Sequence, residues 1–517
     1  MNKVLLLFVL LLALCTSCQK ELSEESLVPY LKTDSTTLLL PEGAGGKDSF
    51  QVKSNIQWQI TVLPATADWL TTSITTGKGT LRVFVSVAKD NVSDTIQEAT
   101  ILISPVNNIT VKPISISVSQ NKPAVKTRNA YGGTEMEEFF CAVATSDGGI
   151  IAVGRSTSDN GDVSGNKGQE DGWVIKIDAK GDKVWQKTLG GSDRDVVSYI
   201  VPTADGNFLI AAGGSIDGDF AGVGWIDDSK IFKIDGNGNI LLKKSVPGEV
   251  YSITPATGGG YVFVGESAND FSVTKTDENL TVLWQKTYGG SGYEWASSVV
   301  EASDNGYIVA GYSDSQNGHI SGNKGLGDFW IIKVDQNGNL VWEKSYGGTA
   351  YEYCYSITKA QDGGYVVVGG AVSNDGDISG HHGNSSGYVN DATDAWVIKL
   401  DVNGNKLWSK VFGGTQDDKF TYITPAQGGG FLLSGSSRSK DGDITNLKGV
   451  RDAWVVKLDE NGSMIWTKNP GGNDEEWGDF ILEPSKGKYV LVGTTFSSNG
   501  DVVGLNGYGD GWVLKFN

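Results

Sequence analysis

The chain has 517 residues, with 42 Lys and Arg against 61 Asp and Glu, giving a formal net charge of −19. That balance argues against nucleic acid and anionic lipid headgroups as partners, because both demand a positive stripe. Seventy Gly against twelve Pro, without a Gly-X-Y period, mark many tight turns rather than collagen or disorder.

Residues 1–17 read as a targeting segment: Lys3 precedes an apolar run over residues 4–14 that is short for a membrane span. The run ends Cys15-Thr16-Ser17-Cys18, and small residues directly before a Cys resemble the lipobox of bacterial lipoproteins. The resemblance implies lipidation of Cys18, since Leu14 is too large for a cleavage before Cys15. An ordinary secretory cleavage nearby is the alternative. Residues 18–33 form a polar tether, and Glu21, Glu24 and Glu25 make it similar to the acidic tethers that export lipoproteins in Bacteroidota-type bacteria. The implied location is the outer membrane, lipid-anchored and surface-exposed, with the lipid as the only membrane contact.

Residues 34–121 alternate in short runs, FQVKS, WQITV, LRVFVSV, ATILIS and ISISVSQ, separated by Gly, Pro, Asn and Asp clusters. The pattern predicts an immunoglobulin-like β-sandwich. Phe50 to Asn55, Trp58, Trp69-Leu70, Gly77-Lys78-Gly79, Asn91, Ala99-Thr100-Ile101 and Val118-Ser119-Gln120 resemble the BACON domain, a family named for carbohydrate association in Bacteroidota. Many such domains act as spacers. Trp58 and Trp69 are expected in the core rather than as sugar platforms.

Over residues 122–517 a phrase recurs about every 58 residues. Its copies begin at Tyr131, Leu189, Val246, Tyr288, Tyr346, Phe412 and Pro470. Each carries four strand-sized runs joined by turns such as Asp304-Asn305-Gly306 and Asn337-Gly338-Asn339, which supply the positive φ that tight hairpins need. The last copy lacks its fourth strand, and residues 124–130 supply a spare one before the first. The expected fold is therefore all-β: the sandwich, then a seven-bladed β-propeller with strand-swapped ring closure. Trp173, Trp330, Trp396, Trp454 and Trp512, with Trp185, Trp284, Trp342, Trp408 and Trp466, are locked to the repeat and read as interblade packing. The form D-x-x-G-x-x-x-W-x-K resembles the docking motif of quinoprotein-type propellers, and the unit looks like the delta-60 class of bacterial repeats. No cofactor is implied, because no vicinal disulfide or axial acidic set accompanies the motif. Cys141 and Cys354 read as buried free thiols, and His319, His381 and His382 are too few for a His-based zinc site or triad.

An acidic loop separates the second and third runs of most copies. Its oxygen-bearing positions are Asn160, Asp162, Ser164 and Asp171; Asp217, Asp219 and Asp228; Asp375, Asp377, Ser379 and Asp394; Asp441, Asp443, Thr445 and Asp452; Asn499, Asp501 and Asp510. The spacing resembles an EF-hand loop, which implies weakly bound calcium. The other reading is structural, with Asp and Ser side chains bracing turns. His319 replaces the acid in one copy, and the third copy lacks the loop.

In a four-stranded unit this loop and the one entering the first strand share a face. The entering loops are aromatic and acidic: Tyr293-Glu294-Trp295, Tyr351-Glu352-Tyr353 and Glu476-Trp477, with Arg194 in a variant. Flat rings beside carboxylates suit a sugar, and the same face suits a surface protein. No catalytic residue is assigned, because the acids recur with the repeat whereas a reaction needs one asymmetric set. The expected function is a non-catalytic binding or display module for glycan or protein. A polysaccharide-acting hydrolase or lyase, and a scaffold subunit of an outer-membrane uptake complex, are the alternatives.

Overall fold

The computed structural model describes residues 28–40, 47–89, 97–107, 110–120, 129–225, 227–383, 392–444 and 446–517. Cys18, the targeting segment, most of the tether and Thr445 lie outside the described residues. The chain divides into two compact units, residues 1–126 and 127–517. Among the described residues the regular elements are strands, apart from one short 3-10 turn, Gly218–Phe220. Among the described residues no helix is long and apolar enough to cross a membrane.

The first unit holds two sheets around one core. One has the strand order Leu31–Thr33, Lys47–Ser54, Leu81–Val87, Leu70–Thr72. The other runs Thr37–Leu40, Ile114–Gln120, Gln97–Pro105, Trp58–Leu63, Thr76–Gly77. Successive side chains along a strand point to opposite faces, so Phe50 and Val52, Val83 and Val85, Ile101 and Ile103, and Ile116 and Val118 all turn into the same core. Trp58 is fully buried there and Trp69 nearly so, as the alternation requires.

The second unit is built from seven four-stranded antiparallel sheets. Six of them use four consecutive strands, as in Glu352–Lys359, Tyr365–Ala371, Asp394–Leu400 and Lys406–Phe412. The seventh takes three strands from the C-terminus and its outer strand, Ala130–Tyr131, from the other end of the repeat region. Ala130 pairs with Trp512 and Tyr131 with Gly511, so the final strand, Asp510–Phe516, has a partner on both sides. The Asn129 side chain clamps this join, donating to the Asp501 carbonyl at 2.7 Å and accepting from the Val503 amide at 2.8 Å.

The first strand of each sheet packs against the first strand of the next, and that of the seventh against that of the first. Seven first strands therefore surround a common centre. Each carries a β-bulge, for example between Phe139 and Cys141 and between Cys354 and Ser356, which leaves one residue out of register.

The recurrent tryptophans pack between sheets. Trp173, Trp330, Trp396, Trp454 and Trp512 are fully buried, four of them against a Phe: Trp330 meets Phe271 and Trp396 meets Phe329 at centroid distances of 4.5 and 4.6 Å. The outer-strand Trp284 donates to the Gln336 carbonyl of the next sheet at 3.1 Å and lies over Gly338, whose φ of +76° and lack of a Cβ admit the ring. Cys141 and Cys354 are buried free thiols.

Candidate functional site

Both the loop entering the first strand and the loop between the second and third strands fall on one face of the seven sheets. Antiparallel pairing dictates this: Glu352, at the start of a first strand, pairs with Ala371 at the end of the second, which pairs with Asp394 at the start of the third. We call this the corner face, after the Gly-Gly corners that cross it.

The acidic loops build the corners. In the fifth sheet the Asp375 carboxylate accepts the Thr349 amide at 2.8 Å and Asp377 accepts the Gly347 amide at 3.3 Å. The same pair of bonds recurs from Asn160 and Asp162, Asp217 and Asp219, Asp441 and Asp443, and Asn499 and Asp501. His319 does the work of the missing Asp, its Nδ1 lying 3.1 Å from the Gly289 amide. Lysines hold several of these acids as well: Lys324 and Lys406 both bind Asp377, Lys167 reaches Asp219 at 2.8 Å, and Lys448 reaches Asp501 at 2.7 Å. Although burial opposes it, the two lysines keep Asp377 below the usual carboxylate range.

Ser164 accepts from Gln186 at 2.8 Å. The twelfth-position acids turn inward: Asp171, Asp394, Asp452 and Asp510 are fully buried and accept backbone amides four to twelve residues earlier in the chain. Asp228 accepts the Trp225 amide at 3.0 Å, and Ser379 sits in the loop after Asp377. Among the described residues no group of three or more His, Cys, Asp or Glu is arranged to hold a metal ion. In the third sheet Ala268 and Asn269, both at positive φ, replace the whole loop by a tight hairpin.

The aromatic and acidic members of the entering loops part company. Glu294, Glu352 and Glu476 are fully buried, where each accepts the amide of the second corner glycine: Gly290, Gly348 and Gly472, at 2.7–2.8 Å. They have no surface to offer a sugar, because a strand sends neighbouring residues to opposite sides. Tyr293, Trp295, Tyr351 and Tyr353 are the outward members. With Tyr312 they gather into one patch: Trp295 stacks on Tyr312 at 4.2 Å and 17°, Tyr312 lies 5.6 Å from Tyr353 at 12°, and Tyr353 lies 6.0 Å from Tyr351 at 3°. Tyr293, 5.4 Å from Trp295, also donates to Glu266 at 3.2 Å. Arg194 is exposed on the same face, its backbone bridged to Glu170.

Residues that do not recur surround the centre. Beside the recurrent buried acid, the first strands present Glu138, Val196, Glu249, Trp295, Tyr353, Lys419 and Trp477, each different in kind from most of the others. Glu138 is held by Arg155 at 2.6 Å, and Arg155 also reaches Glu170 at 3.0 Å. Arg438 pairs with Glu475 at 2.7 Å. Arg451 lies 4.0 Å above the Trp477 ring, and Lys419 lies 4.8 Å from the same ring and 5.6 Å from Tyr355. Asp479, in the register break of its strand, faces this group. Burial pushes its carboxyl up to about 7, with Lys419 and Arg451 opposing and Glu138 adding to the rise. Burial also pulls the Lys419 ammonium down. Trp295, Tyr353 and Trp477 are legible from the entering loops, whereas Lys419 and Asp479 do not recur; their signal in the sequence is the variation at one fixed position of the repeat.

Residues 170–373 match the family described as outer membrane protein assembly factor BamB, so this stretch carries repeats of the BamB-like, quinoprotein-like β-propeller type. The chain is 26% identical over 223 residues to the regulatory protein FlaEY of Caulobacter vibrioides, covering 41% of this chain and 23% of that protein, so it spans about a quarter of that relative's length. Among solved structures it is similar to the AfRom2 CNH domain at 10% identity, over 76% of this chain and 98% of that one, with a TM-score of 0.40. It is also similar to a Synechocystis apocarotenoid oxygenase at 13% identity, over 72% and 91%, with a TM-score of 0.37. A Bacteroides ovatus GH5 xyloglucanase aligns at 18% identity over 23% of this chain and 29% of that one, with a TM-score of 0.16.

Proposed function

We propose that the protein is a non-catalytic binding module that takes a glycan on the corner face of a seven-bladed, strand-swapped β-propeller. In this reading the first unit is an immunoglobulin-like, BACON-type spacer, and Cys18 is the lipid anchor that displays both units on the outer membrane. The observation that carries the proposal is the patch of Tyr293, Trp295, Tyr312, Tyr351 and Tyr353. Tyr312 is buried beneath the patch, and the part-exposed Trp295, Tyr351 and Tyr353 present neighbouring apolar ring surface that suits the C–H face of a sugar. The hydroxyl groups of Tyr293 and Tyr351 and the acids Glu249 and Glu266 of the third sheet supply polar partners.

Calcium in the acidic loops is not needed for this role, since their oxygens already accept amides and lysines. The test is a broad glycan array probed with the full chain. Specific binding supports the reading, and a blank array turns it towards a protein-binding scaffold. The alternative of a polysaccharide-acting hydrolase or lyase draws on one asymmetric neighbourhood, Glu138, Lys419 and Asp479. New reducing ends or unsaturated products from a bound polymer would establish it.

A further inference from the structure

We propose that the sixth sheet carries an anion site on the corner face, where Lys419 and Arg451 bind the carboxylate or sulfate of an acidic sugar. This rests on the glycan-binding reading above and names the class of glycan.

The first and sixth sheets carry charges at the same two places of the repeat, with opposite sign. In the first sheet Glu138 pairs across the strands with Arg155, which pairs with Gly172, two residues beyond Glu170. In the sixth, Lys419 pairs with Ser436, which pairs with Ala453, two residues beyond Arg451. Lys419 and Arg451 therefore stand where Glu138 and Glu170 stand. The first sheet answers its two acids from within: Arg155 reaches Glu138 at 2.6 Å and Glu170 at 3.0 Å. The sixth sheet has no acid in the place of Arg155, because Ser436 brings only a hydroxyl. An anion supplied from outside completes the same arrangement with its signs reversed.

The cations of the sixth sheet are short of partners. Arg451 is 7% exposed, and among the described residues its guanidinium makes one hydrogen bond, to the Ser436 hydroxyl at 3.1 Å. Its Nε is buried without a hydrogen-bond partner and lies 4.0 Å from Glu475, whose carboxylate is bound instead by Arg438 at 2.7 Å. The Nε of Arg438 is likewise buried and unbonded, and Asp417 stays 4.0 Å from its Nη1. Lys419 is half-buried, with the Trp477 and Tyr355 rings beside its ammonium. Asp479 faces the group without coming within ion-pair distance of either cation. A buried charge held by one neutral hydrogen bond is costly, and a charged acceptor delivered from the corner face offsets that cost.

The place of the site ties the anion to a sugar. Tyr353 and Lys419 hold the same position on adjoining first strands, those of the fifth and sixth sheets. A glycan resting on Trp295, Tyr351 and Tyr353 therefore meets Lys419 at the next strand around the centre. Arg451 lies 4.0 Å above the Trp477 ring, which holds its planar guanidinium in one orientation. The net charge of −19 sets a further condition: the chain repels an extended anionic surface, so the site suits an isolated acidic sugar among neutral ones.

The test is titration of the full chain with hexaoses of xylose, mannose and galactose, each in a neutral form, with one glucuronate branch and with one sulfate. The expected result is that a charged form binds at least tenfold more tightly than its neutral counterpart, and the preferred form identifies the anion. That advantage should vanish in Lys419→Met and survive in Lys419→Arg. Arg451→Gln should also lose it; because Arg451 is buried, Lys419→Met decides the matter where that variant fails to fold. Equal binding of neutral and charged forms, or a charge advantage undiminished in Lys419→Met, overturns the inference and leaves the glycan reading standing. Failure of every hexaose to bind, with or without binding of a hexaglutamate peptide, overturns both.

Discussion

The carboxyl groups of Asp328 and Glu352 face each other across Gly347, both side chains fully buried, at the corner between the fourth and fifth sheets. The same meeting occurs at Gly190 between Asp171 and Asp195, at Gly471 between Asp452 and Glu476, and at Gly289 between Asp270 and Glu294. Burial, with the neighbouring carboxylate adding to it, raises Asp171, Asp270, Asp328 and Asp452 above the ordinary carboxylate range. Burial, reinforced by Glu352 and opposed by the Lys324 amide, raises Asp328 to about 7, and Asp418 and Asp452 rise to about 6. The Oδ1 atoms of Asp171, Asp328, Asp394 and Asp418 have no hydrogen-bond partner in the fold, which fits a proton held there.

A pH dependence follows. The Asp328 carboxyl titrates near 3.8 when unfolded and near 7 when folded, so the stability it contributes is complete below about 4 and is lost as pH rises through 7. The slope is about 1.4 kcal/mol per pH unit for each such group over that interval. Asp328→Asn keeps an acceptor for the Lys324 amide and removes the titration. Thermal melts should show the variant more stable than the parent at pH 8, with the gap closing or reversing at pH 5. An equal gap at both values would mean that Asp328 is ionised throughout.

Gly347→Ala should destabilise strongly. A Cβ at this position collides with the carboxyl oxygens of both Asp328 and Glu352, which have no free space to move into. Overpacking of this kind costs about 1–3 kcal/mol. Chemical denaturation of the variant measures the loss; Gly236→Ala, where a Cβ meets nothing and the backbone is not at positive φ, is the comparison.

Chelation should change little. The oxygens of Asp375 and Asp377 already accept the Thr349 and Gly347 amides, and Asp377 is bound by two lysines. Melting temperatures in EDTA and in 5 mM calcium are expected to agree within about a degree. A rise of several degrees with calcium would show that the loops prefer a cation to these partners.

Asn129→Ala should loosen the join between the two ends of the repeat region. It removes the bonds to Asp501 and Val503 that hold Ala130–Tyr131 against Asp510–Phe516. The loss of two partly buried hydrogen bonds is expected to cost about 1–3 kcal/mol. Hydrogen exchange should show the effect first in Asp510–Phe516, and uniform protection there would contradict a closing role for this clamp.

The sequence carried the repeat and its strands openly, because Asn-Gly turns, alternation and repeat-locked Trp residues are all local signals. The spare strand expected over residues 124–130 was visible through its likeness to the fourth strand of other copies; residues 124–128 lie outside the described residues, and the pairing is described for Ala130–Tyr131. Two features were not legible. The acids of the entering loops stood next to aromatics in the chain, but Glu294 and Trp295 point to opposite sides of one strand, so nearness in sequence did not become nearness in the site. The centre was hidden for a different reason. Lys419 lies in a different copy of the repeat from Trp477 and Asp479, neither Lys419 nor Asp479 recurs at its position, and only packing of the first strands brings them together.

The most direct test of the central claim is a titration of the full chain with the tightest-binding glycan from the array, alongside Trp295→Ala. The aromatic patch predicts saturable binding that falls at least tenfold when the Trp295 ring is removed, with the protein still folded because that side chain is only half-buried. Undiminished binding by the variant, or no binding of any glycan by the parent, would contradict it.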